Sequence, residues 1–204
     1  MTTRPLFVTR LYEGSLAAER GFETFRRELE DACRSLARDD AAGRAWSTAH
    51  AYPGYTSYAS LNDLPLRDPA FAELKRRIDR HVARFAEEAH MDLGGRRLKL
   101  DSLWVNVLKP GGAHTGHIHP HSVVSGTVYV STPEGASALK LEDPRLPMMM
   151  AAPSRTADAP EEARTFVYVR PEPGTVLLWE SWLRHEVPAN AAKSDRISVS
   201  FNYR

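Results

Sequence analysis

After Gly94-Gly95 the chain never again sustains a helical period. Its remaining apolar residues fall in short runs rich in Val, Leu, Tyr and Trp: LKLDSLWVNVL, VVSGTVYVS, ALKLE, TFVYV, GTVLLWES, HEVPA and RISVSFNY, separated by Gly, Pro and polar residues. Short strands following one another without intervening helices predict an antiparallel sandwich or barrel of the jelly-roll kind. Residues 143–165 break the series with four prolines, Met148 to Met150 and mixed charge. A segment of that length without a period is either a functional lid or a surface loop.

The first 95 residues read differently. Phe22, Phe25, Leu29, Cys33 and Leu36 recur every three or four positions among Arg, Glu and Asp, which predicts an amphipathic helix within residues 15–39. Asp68 followed by Pro69 offers a cap and a first helical position, and Phe71, Leu74, Ile78, Val82, Phe85 and Ala89 continue a second helix toward Gly94. Between them, Ala45 to Leu66 carries turn signals and aromatic residues but no period, and reads as an ordered loop. The expected organisation is one domain over residues 1–204, with helices in 1–95 packed on a jelly-roll core in 96–204.

Composition narrows the function classes. With 27 Lys plus Arg against 26 Asp plus Glu the formal charge is +1, and the densest basic run, Lys75 to Arg77 with Arg80 and Arg84, reads as the wet face of a helix. Neither nucleic acid nor a membrane surface is an expected partner. A single cysteine, Cys33, excludes an internal disulfide and sits on an apolar stripe, so it reads as a core filler in a reducing compartment. No segment approaches the ~18 apolar residues of a membrane span and no leader-like pattern opens the chain, so a cytoplasmic location is expected. His81 and His90 fall in or at the end of the second helix and read as surface or cap residues.

The chemistry concentrates in PGGAHTGHIHPHS, which holds four of the eight histidines: His114, His117, His119 and His121. In extended chain, residues i and i+2 point the same way, so His117 and His119 can offer two imidazoles to one metal ion. His119 and His121 share that spacing, but Pro120 separates them. One further histidine, His185, lies 66 positions after His119 at a predicted strand edge. Arg196 then opens an alternating strand. Arg196, Ser198, Ser200 and Asn202 share one face, and Ile197, Val199 and Phe201 the other. An inward guanidinium needs an anion, and its planar fork suits a carboxylate, so a small dicarboxylic acid is an apt partner.

Taken together, WVNVLKPGGAHTGHIHPHSVVSGTVYV, PGTVLLWESWLRHEVPAN and RISVSFN resemble the 2-oxoglutarate/Fe(II)-dependent oxygenases of the double-stranded β-helix fold, and in particular a bacterial subgroup of them. The aromatic segment GYTSYASLNDLP is similar as well, so the resemblance runs over roughly residues 50–204. It implies Fe(II) and 2-oxoglutarate as cofactor and co-substrate, O2, and hydroxylation of a small-molecule or other substrate with succinate and CO2 as co-products. It also implies His117 and His185 as metal ligands and Arg196 as the residue gripping the far carboxylate of 2-oxoglutarate. Position 119, where the pattern has Asp or Glu, is His. A facial site of three imidazoles keeps the ligand count but raises the charge by one.

The resemblance further implies metal-neighbouring or 2-oxoglutarate contacts from Asn106, Ser125, Thr127, Tyr129 and Ser198. Trp104, Trp179 and Trp182 are expected in the core. Substrate is expected between the aromatic stretch Trp46 to Tyr58 and the segment Asp143 to Arg164. A homodimer is a further partner expectation. Other readings stand beside this one: Glu180 or Glu186 as third ligand, a metal other than iron, a cupin of another reaction type, or a structural zinc closed by His114 or His121.

Overall fold

The alternation along the last strand decides how the whole core is layered. The computed structural model describes residues 2–204. In it, β10 (Arg196–Tyr203) lies at the centre of a six-stranded antiparallel sheet, between β3 (Leu100–Leu108) and β5 (Val124–Ser131). The order continues through β8 (Thr175–Glu180) to β1 (Leu11–Ser15) on one side and to β2 (Gly54–Thr56) on the other. A second sheet of four strands runs β4 (His114–His117), β9 (His185–Val187), β6 (Leu139–Glu142) and β7 (Phe166–Val169). All seven runs expected from the sequence are strands.

One face of β10 presents Ile197, Val199, Phe201 and Tyr203, which join a buried cluster with Phe25 and Leu29 of helix α1 (Phe22–Asp39) and with Leu74, Ile78 and Phe85 of helix α4 (Pro69–Glu88). The helices therefore cover the outer face of the large sheet, as their apolar stripes require. Cys33 is buried in this layer and its thiol pKa is pushed up by burial. Asp68 caps α4 by accepting from the Ala70 amide at 2.7 Å, with Pro69 at the first helical position. The other face of β10 looks between the two sheets, where Leu108, Tyr129, Leu141, Leu177, Trp179 and Leu183 form a second, smaller cluster.

Several expectations change. Residues 45–66 are only partly a loop: the end of helix α2 (Ala41–Ala49), strand β2 and the start of a short helix α3 (Leu64–Arg67) fall within this stretch. Helix α2 is capped by Asp40, which accepts from Gly43 N at 3.0 Å and also from Tyr55 and Ser60. Gly54 has φ 147° and its backbone lies against the Val107 carbonyl, an approach that a side chain would block, so β2 can pair closely with β3. The first helix starts at Phe22, because Leu11–Ser15 pairs with β8 as an edge strand. With β1 and β2, the N-terminal part contributes to the sheet as well as helices. Arg77 is not on a wet face; it is buried against the Phe25 ring and paired with Glu19 and Glu73. Trp182 is half exposed, whereas Trp104 and Trp179 are buried.

Candidate metal centre

Strands β4 and β9 are hydrogen-bonded neighbours in the small sheet, with His117 opposite His185. That register brings a strand end and a strand start, 68 residues apart, to one point. His119 follows two residues after His117, its amide donating to Ser181 O at 3.0 Å. The imidazole rings lie 4.4 Å (His117 to His185), 5.0 Å (His119 to His185) and 5.2 Å (His117 to His119) apart. One nitrogen from each falls within 4.8 Å of the others.

Hydrogen bonds decide which nitrogens are free. His117 Nδ1 lies 2.7 Å from Thr115 O, and His185 Nδ1 lies 2.9 Å from Leu183 O. A carbonyl oxygen only accepts, so both Nδ1 atoms carry the proton. His119 Nδ1 donates likewise to Asn202 Oδ1 at 2.6 Å. In all three rings Nδ1 is the nitrogen engaged and Nε2 the one left to face a metal ion. Burial first, and then the charge of His117, pushes the His185 pKa down to about 3. Burial also lowers His119, so His119 and His185 are poised neutral.

Asn202 is itself fixed. Ser125 Oγ donates to its Oδ1 at 2.7 Å, Ser181 and Ser125 hydroxyls lie 2.7 Å apart, and Asn202 Nδ2 donates to Ser102 Oγ at 3.1 Å. Trp104 tilts against His119 at 5.7 Å and Trp179 lies edge-on to His185 at 4.7 Å. The sequence had Asn202 on the inner face of β10 but gave it no role. The alternation was the available signal; its partner, 83 residues away, was not.

The other expected residues line the same interior. Asn106 is buried, accepting from Thr56 Oγ1 at 2.9 Å and donating to Ser200 Oγ at 3.2 Å. Thr127 is occupied by Val199 O and Ser200. Ser125 is occupied by Asn202 and Ser181, so Thr127 and Ser125 position neighbours and present no free group. Arg196 is buried; it donates to Ser137 O at 3.2 Å and Ser198 Oγ at 3.4 Å, and its guanidinium lies over the Tyr129 ring. No carboxylate pairs with it among the described residues. The hydroxyls of Tyr129 and Ser137 beside it are buried without a good hydrogen-bond partner. A buried cation flanked by two unsatisfied hydroxyls fits an anionic partner.

The remaining histidines stand apart. His114 turns toward Tyr52, whose hydroxyl it meets, and burial followed by the Arg196 charge lowers its pKa to about 4. His121 is exposed with φ 70°. Among the described residues the convergent group holds only His117, His119 and His185, with no acid and no fourth ligand. Glu186 is held by Lys140 at 2.7 Å. The donor set thus fits an open three-nitrogen site better than a closed zinc site.

Residues 102–202 match a family model described as "Putative 2OG-Fe(II) oxygenase". Among solved structures, a Pseudomonas putida prolyl-4-hydroxylase is 16% identical with a TM-score of 0.59, the match covering 96% of this chain and 92% of that one. HygX from Streptomyces hygroscopicus, solved with nickel and 2-oxoglutarate, is 18% identical with a TM-score of 0.55, covering 96% and 81%. A 2OG-Fe(II) oxygenase family protein from Burkholderia pseudomallei is 16% identical with a TM-score of 0.46; the match covers 66% of this chain and spans 55% of that protein. None of the curated proteins matches the sequence. The fold shared with the prolyl-4-hydroxylase and HygX is the double-stranded β-helix.

Proposed function

From the match of residues 102–202 to the 2OG-Fe(II) oxygenase family model, we propose that the chain is a non-haem Fe(II) oxygenase that uses 2-oxoglutarate to hydroxylate a small molecule. His117, His119 and His185 are the metal ligands in this reading, each through Nε2. Arg196 receives the far carboxylate of 2-oxoglutarate, with Tyr129 and Ser137 as its hydroxyl partners. The observation that carries it is the buried Arg196, which meets no acid among the described residues and shares a face of β10 with Asn202, the residue that holds His119 in the three-imidazole cluster.

When bound, iron and 2-oxoglutarate supply the redox chemistry: R–H, O2 and 2-oxoglutarate become R–OH, succinate and CO2. The chain's own part is coordination, orientation and exclusion of water. Backbone carbonyls of Thr115 and Leu183 and the amide of Asn202 hold the three rings in one tautomer. Trp104 and Trp179 cover two of them, and Tyr129 lies beneath the guanidinium. Ser198 steadies that guanidinium by accepting from it, and Asn106 braces β3 against β10. With imidazole in place of a carboxylate, the protein's ligand set carries no negative charge, one less than the usual two-histidine, one-carboxylate set.

A cytoplasmic location belongs to this reading, supported by the buried, unpaired Cys33. No helix among the described residues is long and apolar enough to cross a membrane. The test is metal analysis followed by succinate measurement. Protein loaded anaerobically with one equivalent of Fe(II) should form succinate from 2-oxoglutarate slowly in air without added substrate. Tight zinc with no succinate under any metal would favour a structural site instead.

A further inference from the structure

Strand β4 carries one residue too many between two of its histidines. His114 pairs with Val187 and His117 with His185, so three steps on β4 span two on β9, a bulge in the ladder. In a regular strand that odd spacing would put His114 and His117 on opposite faces; the bulge returns both to one face, the one that Val187 and His185 share. Val187 belongs to the cluster between the sheets. His114 is therefore aimed inward, where the Tyr52 hydroxyl meets its Nε2.

Tyr52, in the stretch expected from sequence to border the substrate, packs on the same cluster, which includes the Tyr129 ring beneath the Arg196 guanidinium. Its hydroxyl lies 3.5 Å from Asn106 Oδ1. Asn106 sits opposite Ser198 on β10 and donates to Ser200, so it stands between Arg196 at one end of that face and Asn202, which holds His119, at the other. The register thus sets the Tyr52–His114 pair between the guanidinium and the three imidazoles. Burial first, then the Arg196 charge and then His117 lower the pKa of His114 to about 4, so a neutral ring lies within electrostatic reach of both. Arg196 also acts on Tyr52, opposing the rise that burial imposes on its hydroxyl.

We propose that Tyr52 and His114 complete the site for 2-oxoglutarate: His114 is a binding residue whose Nδ1–H donates to the acid held by Arg196, and Tyr52 is the positioning residue that fixes this donor. Their role rests on the oxygenase reading above. Tyr52 has one proton to give. Asn106 Oδ1 already accepts from Thr56 at 2.9 Å and lies at the long limit for Tyr52, so the proton goes to the closer His114 Nε2. The imidazole proton is then on Nδ1, which meets no partner among the described residues. A half-buried N–H without a protein partner, beside a cation without an acid, suits a carboxylate oxygen.

The experiment is calorimetric titration of 2-oxoglutarate into full-length protein loaded with Ni(II), which reads binding without turnover. His114→Leu, which removes the donor, should weaken binding about 10- to 150-fold, the range for a hydrogen bond to a charged group, with metal stoichiometry unchanged. His114→Asn, whose amide can place an N–H near the position of Nδ1, should stay within about threefold of wild type. Tyr52→Phe keeps the packing and should weaken binding about 2- to 10-fold, yet add nothing in the His114→Asn background, where the donor no longer depends on it. Unchanged affinity in either His114→Leu or Tyr52→Phe overturns the proposal, and so does equal loss in His114→Leu and His114→Asn, the mark of a packing role. Arg196→Met separates the two ideas. Strong loss there with unchanged affinity in the variants of the pair removes the pair alone, whereas no 2-oxoglutarate binding by wild type with Ni(II) or Fe(II) removes the oxygenase reading and the role of the pair with it.

Discussion

At the scale of single residues, the proposed centre depends on where the imidazole protons sit. Asn202 illustrates the effect: it touches no ligand position, yet it fixes the tautomer of His119. Asn202→Ala should lower Fe(II) affinity by 10- to 100-fold, the usual cost of losing such an orienting partner, with the fold intact by circular dichroism. Arg196→Met should behave in the opposite way. It removes a charge-assisted contact worth roughly 1.5–3 kcal/mol, so apparent 2-oxoglutarate affinity should fall about 10- to 150-fold while metal stoichiometry stays at one. Equal loss of metal in both variants would argue against the separate roles. The histidines themselves were legible in the sequence, because H-x-H in extended chain is a local pattern. Their hydrogen-bond partners were not, because Thr115 and Leu183 act through backbone carbonyls and Asn202 acts across the sheet. Tyr52 was missed for the same reason: its contact with His114 joins residues 62 positions apart.

Among the elements, the long strands and long helices were readable because period and caps agree. Asp68-Pro69 marks the start of α4, and the alternation of β10 separates helix-facing from interior residues. The short elements were not. Strand β2 has three residues and β1 sits at a sheet edge, so neither carries enough pattern to stand out. Helix α2 was obscured by Gly43 and by the aromatic residues that follow it. Asp40 is the element-level hinge of this region, since it caps α2 and accepts from Tyr55 at 2.9 Å and Ser60 at 2.6 Å. Burial alone would raise its pKa, but those hydrogen bonds and the Gly43 amide outweigh it and hold the carboxyl below its ordinary value. Asp40→Ala should lower unfolding free energy by about 1–2 kcal/mol in urea titration. A change within ~0.3 kcal/mol would mean that the cap contributes nothing net.

For the molecule as a whole, buried neutral histidines tie stability to pH. The pKa values of His81, His114, His119 and His185 are all lowered, burial being the first cause in each. Below pH ~6.5 the unfolded chain takes up protons at these positions that the fold refuses, so stability rises with pH through that window. The melting temperature of metal-free protein should therefore fall steadily from pH 7 to pH 5, and a flat profile would contradict the burial. The central claim, three convergent imidazoles and one buried guanidinium that meets no acid among the described residues, is tested most directly by an anaerobic titration. Addition of 2-oxoglutarate to Fe(II)-loaded protein should produce a weak visible charge-transfer band saturating at one equivalent per chain. The band should be absent in His185→Ala and need far more 2-oxoglutarate in Arg196→Met. Iron bound at full stoichiometry with no band, or a band that survives His185→Ala, would contradict the account.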